Sequence, residues 1–201
     1  MKTVEEIFAV LEEKFGVKRE SLDKWGVTAV VSANYLHNVV QYLRDESDPK
    51  FEMLVDIAGI DYLTYPNHEG PRFAVAYALK SMSQPGLRIR LKVLVSEGNL
   101  KVPTISDLYA NANWYERETW DQFGIVFEGH PDLRRLLNHV EFVGHPLRKD
   151  YPAQKRQWLS TNDFLLPELE KRLETLGYKV VKRSKEVEPN PDEFLEGSVQ
   201  A

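Results

Sequence analysis

Cysteine is absent from the 201 residues, which excludes disulfides, thiolate zinc sites, cysteine nucleophiles and iron–sulfur ligation by this chain. Any redox centre it serves must belong to a partner. Long apolar runs are missing as well. None approaches the roughly 18 residues that a membrane-spanning helix needs, so contact with a membrane is expected to be indirect. Basic charge is not in excess either: the net charge of −5 argues against a general nucleic-acid binder, which needs a basic field to neutralise phosphates. The opening "MKTVEEIFAVLEEKFG" scatters acids through its apolar positions, unlike a secretory leader, and reads as a cytosolic start. Internal repeats and low-complexity tracts are not visible.

What is present is an ordinary globular composition, 42% hydrophobic and 28% charged. A chain of this length can bury roughly 70% of its unfolded surface in one core, so one domain with appendages is expected. Thr3 and Glu6 form a capping box, and Val4, Ile7, Phe8, Leu11 and Phe15 repeat at helical spacing up to Gly16. From Trp25 to Val31 the run "VTAVV" reads as a strand, and Leu36, Val39, Val40 and Leu43 place a second helix after it.

Three alternating segments follow: Phe51 to Ile57, Phe73 to Leu79 and Leu87 to Val95. Turn chemistry at "SQPG" and a longer loop at "YPNHEGPR" make them an antiparallel meander. The fold expected is α+β, a mixed sheet of about four strands with helices on one face, joined by a β-α-β crossover. Ala74, Ala76 and Ala78 offer a smooth face for a helix, and Arg88, Arg90 and Lys92 read as a solvated sheet face. The expected divisions are an α+β domain over 1–100, a helix with loops over 101–152, a short helix and strand over 153–184, and an extended acidic tail over 185–201. Within the third, the helix is expected to start near Pro167 and end at Gly177, with the strand at Tyr178 to Val181.

The stretch "ERETWDQFGIVFEGHPDLRRLL", Glu116 to Leu137, holds the densest mixture of charges and aromatics. Ser106 or Asn111 can cap the helix that leads into it, and Gly124 is positioned to end it. Glu116 and Glu118 diverge by about 200° on that helix, so they do not converge as a general acid and base. Arg117 and Asp121 are four apart and can pair, which suggests a buried acid network around Arg117. On that reading, Arg117→Ala leaves carboxylates uncompensated at a cost of about 3–5 kcal/mol. Asp132 is expected to cap a short run through Leu133, Leu136 and Leu137. His130, His139 and His145 lie at spacings that match no zinc pattern. The two Gly-His-Pro turns, at Gly129 and Gly144, lack the glycine spacing of a nucleotide loop; rigid turns holding cations out to a partner protein are the simpler reading.

Together, "ERETWDQFGIVFEGHPDLRRLL" and "GHPLRKDYP", with "LVDIAGIDYLTYP" and "RFAVAYAL" before them, resemble the C subunit of bacterial respiratory complex I, the 30 kDa subunit of NADH:quinone oxidoreductase. The resemblance spans roughly residues 50 to 152. One departure is Gln122 in "WDQFG", where the family usually has an apolar residue; it bears on how deeply that position is buried. The resemblance implies a non-catalytic, structural subunit of the peripheral arm, with FMN, iron–sulfur clusters, NADH and quinone on other subunits. It implies docking beside the D subunit, near the B subunit, at the cytoplasmic face of the membrane. Carried over by position, Glu116, Arg117, Glu118, Asp121, Phe123 and Gly124 form the signature helix. Gly129, His130, Pro131, Asp132 and Arg134, then Gly144, Pro146, Leu147, Arg148, Lys149, Asp150 and Tyr151, form loops ordered against neighbours. Related chains in membrane-bound hydrogenases or deazaflavin-linked dehydrogenases are the alternative, and a free-standing enzyme or an unrelated adaptor are the competitors from other classes.

Overall fold

The computed structural model describes residues 4–23, 26–84, 86–155, 157 and 159–178. The expected strand at Tyr178 to Val181 beyond its first residue, the acidic tail from Lys185, and the Thr3 half of the capping box lie outside them. Helix α1, Val4–Phe15, buries Ile7, Phe8 and Leu11 and ends at Gly16, whose φ of 64° suits glycine. A hairpin follows, β1 Lys18–Asp23 and β2 Gly26–Val30. A 3₁₀ turn, Ala33–Tyr35, leads into α2, Leu36–Asp45, which buries Leu36, Val39, Val40 and Leu43.

The meander is β3 Met53–Asp61, β4 Phe73–Lys80 and β5 Arg88–Val95, antiparallel throughout. Strand β2 joins it parallel to β5, so the crossover expected from sequence is present. The sheet has five strands in the order β1-β2-β5-β4-β3, and the fold is α+β. The strand not foreseen, β1, reads "KRESLD". It carries no run of β-branched residues, and as an edge strand paired on one side it needs none; charge on an edge discourages pairing with other chains.

Phe73, Val75, Tyr77 and Leu79 of β4 turn one way and join Ile7, Leu11, Val39, Val40 and Leu43 of the helices in a single core. A buried aliphatic side chain of this kind contributes about 1.5–3 kcal/mol. On the opposite face Ala58, Ala76, Ala78, Arg88, Arg90 and Lys92 are half-buried to exposed, while Ala74 and Thr28 are buried. There Lys92 pairs with Glu20, and Arg90 donates to Thr28 Oγ1 at 3.2 Å. A bulge between Leu54 and Asp56 shifts the phase of β3, so Leu54 and Ile57 are buried while Met53 and Val55 are exposed, against the simple alternation read from sequence.

After β5 the chain forms a second, two-stranded parallel ladder, β6 Lys101–Pro103 with β7 Val126–Glu128. Between them runs α3, Ala112–Phe123, which packs against β3. The alanine face does not receive it. Helix α3 approaches the core face instead, where Gly59 lets the Phe123 ring lie so close that a Cβ there would meet it at 2.4 Å. The last helix among the described residues, α4, is Asn162–Thr175 and has no buried residue. It starts five residues before Pro167, which sits inside it rather than in its first turn. The preceding turns already run helical, and the missing Pro167 N–H removes one hydrogen bond from an exposed helix.

Candidate functional site

Helix α3 carries the polar cluster, and its two ends are set by different chemistry. Asn111 is its N-cap residue, but its side chain donates to the Leu54 carbonyl at 2.9 Å and ties the helix start to β3. Gly124 ends it at φ 76°. A side chain at Gly124 would also collide with Arg148 and His145, both 2.5 Å from where its Cβ would stand. Those contacts bring the second Gly-His-Pro loop against the helix end. Arg148 Nε donates to the Phe123 carbonyl at 2.6 Å, and the His145 Nδ1 lies 3.0 Å from the Asp121 carbonyl.

Asp121 is the hub. Its side chain is fully buried, and its carboxylate accepts the N–H groups of Leu136, Leu137 and Asn138 at 2.9–3.1 Å. Arg135 adds a charged bond at 2.6 Å and the Asn138 amide another at 3.1 Å. Burial opposes its charge, but the Asn138 backbone bond, Arg135 and the remaining donors outweigh it and hold the carboxyl well below the usual carboxylate range. Arg135 then reaches onward to the carbonyls of Phe142 and Gly144 at 2.6 and 3.1 Å, with its guanidinium over the rings of Trp120 and Phe142. One carboxylate and one guanidinium thus shape the whole loop from 135 to 144.

Arg117 does not pair with Asp121, as four-residue spacing suggested. Its guanidinium is buried against Trp114 and donates to the carbonyls of Arg134 and Arg135 at 3.2 and 3.1 Å. Asp121 has its own arginine, so the network around Arg117 is built on backbone oxygens and not on carboxylates. The expected cost of Arg117→Ala falls accordingly, to about 1–3 kcal/mol for the carbonyls left without donors. Chemical denaturation of the variant measures it, and a loss as large as that of an Asp121 variant would contradict this assignment.

A second anchor lies at the sheet end. Arg72 binds Asp61 through two bonds of 3.0 and 2.9 Å and also reaches Asp150 at 2.8 Å and Glu97 at 2.7 Å. Asp61 accepts the Lys149 N–H at 2.8 Å, which pins the loop of Arg148, Lys149 and Asp150 across the end of β3 and β4. Burial works against the Asp61 carboxylate, yet Arg72 and the Lys149 and Leu63 N–H groups set it at about 2. Tyr151 stacks on Phe142 and closes the loop.

Not every expected residue joins this frame. Glu118 is exposed. Asp132 and Arg134 pair with each other at the surface, and no helix forms over Leu133 to Leu137, so Asp132 caps nothing. Asp121 takes the N–H groups that such a helix would have used. Gln122 is 8% exposed, so this position is buried despite the polar side chain. The three histidines singled out by sequence all engage the backbone: His130 the Asn113 carbonyl and Asp132 N–H, His139 the Glu141 N–H, and His145 the Asp121 carbonyl. Among the described residues no group of three or more histidines and carboxylates could hold a metal ion, and no helix is long and apolar enough to cross a membrane.

The residue that local spacing misses is Arg135; of two adjacent arginines, nothing nearby in the chain says which turns inward. Outward, the frame presents several apolar side chains beside the exposed charges. Leu137, Val140, Val143 and Leu147 are 53–82% exposed on the same loops.

The family model described as respiratory-chain NADH dehydrogenase, 30 kDa subunit, matches residues 29–157, from β2 through the loops just described. The chain belongs to this family. Among its curated relatives, the NADH-quinone oxidoreductase C subunit of Burkholderia mallei strain SAVP1 is 44% identical over 155 residues, covering 75% of this chain and 77% of the relative. The same figures hold for the corresponding C subunit of Burkholderia pseudomallei strain K96243. A solved trypsin-resistant fragment of Nqo5 is similar with a TM-score of 0.58 and 36% identity, over 65% of this chain and 98% of that one. A chain of the membrane-bound sulfane sulfur reductase, an archaeal respiratory membrane complex, shares the fold at 22% identity and a TM-score of 0.59, over 92% of this chain and 96% of that one. As a complex I 30 kDa subunit, the protein has other complex I subunits as its partners. The match reaches back from residue 50, where the resemblance in sequence began, to the crossover strand.

Proposed function

We propose that the chain is a non-catalytic, structural subunit of the peripheral arm of proton-translocating NADH:quinone oxidoreductase, docking beside the D subunit and near the B subunit at the cytoplasmic face of the membrane. The FMN, iron–sulfur clusters, NADH and quinone of the complex are then handled by other subunits. One observation carries this reading: Asp121, Arg135, Arg117 and Asp61 satisfy a long loop from within, while Leu137, Val140 and Val143 point out of it. Large apolar side chains held outward by a rigid polar frame fit a protein interface better than a substrate site. The signature residues act in this reading by shaping the loops. Glu116, Arg117, Asp121, Phe123 and Gly124 set the helix, and Gly129, His130, Pro131, Gly144, Pro146, Arg148, Lys149, Asp150 and Tyr151 set the turns. Glu118, Asp132 and Arg134, all exposed, are left to meet the neighbour directly.

The test is a pull-down of the tagged chain from gently solubilised native membranes, with mass spectrometry and an NADH:quinone assay on the eluate. The B and D subunits with inhibitor-sensitive NADH oxidation are the expected companions. A hydrogenase in their place would move the chain to the related complexes, and recovery of the chain alone would end the assembly reading. The double variant Val140→Asp, Val143→Asp is expected to lose at least tenfold in co-purified partner while its own thermal unfolding shifts little, because both side chains are exposed in the chain by itself. Undiminished co-purification would show that the interface lies elsewhere.

A further inference from the structure

Beneath the other side of α3 lies a buried cluster centred on Glu116. Glu116 is fully buried. Its Oε1 accepts the Ile105 N–H at 2.8 Å, and its Oε2 lies 2.5 Å from Thr104 Oγ1. Thr104 Oγ1 is in turn 2.9 Å from Ser106 Oγ and accepts the Ser106 N–H at 3.1 Å. From β4 comes the buried Tyr77 hydroxyl, without a hydrogen-bond partner among the described residues, which feels the negative charge of an ionised Glu116. From the loop after β7, His130 Nε2 stands 4.0 Å from Oε2.

These contacts decide what Glu116 can be. His130 receives the Asp132 N–H on Nδ1, which assigns its hydrogen to Nε2 and directs it to the Asn113 carbonyl at 3.1 Å. That imidazole hydrogen serves a carbonyl. Arg117, next along the helix, is turned to the carbonyls of Arg134 and Arg135. Asp107, on the loop before α3, adds negative charge. Thr104 has one hydrogen and two lone pairs. All three are used when Glu116 donates to Oγ1, Ser106 N–H donates to it as well, and the threonine hydrogen goes to Ser106 Oγ. A charged Glu116 claims that hydrogen instead and breaks the relay to Ser106.

We propose that Glu116 carries a proton in the folded chain up to neutral pH and is a built-in pH switch, whose ionisation loosens the Thr104–Ser106 turn that seats α3 on the β6–β7 ladder. Burial is the main force raising its pKa, to about 7, with Asp107 adding to it and the Ile105 and Thr104 contacts opposing. The inference stands on this cluster alone and is independent of which partner covers the outer loops.

The measurement is carbon-13 NMR of glutamate carboxyl groups in the full chain from pH 4 to 9, beside amide exchange at Ile105. One glutamate is expected to titrate near pH 7 and to vanish from the spectrum of Glu116→Gln. Ile105 exchange, corrected for its intrinsic pH dependence, is expected to rise at least tenfold between pH 6 and 8 in the native chain and to stay level in that variant. Thr104→Val, which removes the hydroxyl at equal volume, should move the midpoint higher. Glutamates that all titrate below pH 5.5 would overturn the proposal, as would a near-neutral titration surviving Glu116→Gln. Should that variant fail to fold, a midpoint unmoved by Thr104→Val would overturn it equally.

Discussion

Asp121→Ala is expected to destabilise the chain by about 3–5 kcal/mol, the largest loss of any single substitution in the helix–loop region. The carboxylate is the only acid that Arg135 touches among the described residues, and it is fully buried. Removing it leaves a guanidinium that is 13% exposed without its counter-charge. It also leaves the N–H groups of Leu136, Leu137 and Asn138 without an acceptor, each a cost of its own in a water-poor site. Asp121→Asn keeps the shape but removes the charge and turns two lone pairs into two donors, so it should recover little. Urea unfolding of the three proteins measures this. A further expectation distinguishes the hub from a simple core residue: proteolysis should cut first within residues 135–144 in both variants, because Arg135 no longer holds the Phe142 and Gly144 carbonyls. A loss below about 1 kcal/mol, with unchanged cleavage, would show that the loop is held by something else.

Stability should also depend on pH in a way unusual for a globular domain. Asp61 sits at about 2 and Asp121 well below the usual range in the folded chain, against an ordinary 3.8. For acids depressed by folding, the stabilisation is present above the ordinary value and disappears as pH falls through the folded one. Glu116 works in the opposite sense. Its folded value of about 7 stands above its ordinary 4.5, so the folded chain holds the proton that the unfolded chain has already released. Its contribution is complete below about 4.5 and is lost as pH rises to about 7, by about 3 kcal/mol. Stability is therefore expected to be greatest near pH 4–5 and to decline towards neutrality. His145, whose pKa burial lowers, acts against that decline as pH rises towards its ordinary value of 6.5. The difference between the native chain and Glu116→Gln isolates the glutamate: denaturation at intervals from pH 4 to 8 should show the native chain losing ground to the variant across this window. Parallel curves would refute the assignment.

These two acids illustrate how far the residues of α3 could be read in advance. Glu116 and Asp121 were recognisable as parts of one polar helix among aromatics, but not as opposites, one protonated under the helix and one ionised above it. The difference comes from their partners. Glu116 meets the Ile105 N–H eleven residues away with no cation, and Asp121 meets Arg135 fourteen residues away with three N–H groups besides. Spacing rules within a helix had instead suggested Arg117 and Asp121 as a pair. That pairing lost because the loop offered Asp121 more donors and Arg117 free carbonyls.

By itself the sequence determined whatever depends on neighbours in the chain. The apolar periods of α1, α2 and the meander, the glycine that ends α3, the crossover to a mixed sheet and the motifs that mark the family all rest on local preferences and short spacings. The tertiary structure decided what depends on distance. It alone brought Lys149 to Asp61 across 88 residues, turned Arg135 inward and Arg134 outward, placed α3 over Gly59 in preference to the alanine face, and recruited the charged segment β1 as an edge strand. The physical reason is common to all four. A buried polar group must find partners wherever the folded chain supplies them, and a backbone can approach closely only where packing leaves room; neither condition is written in the residues adjacent to it.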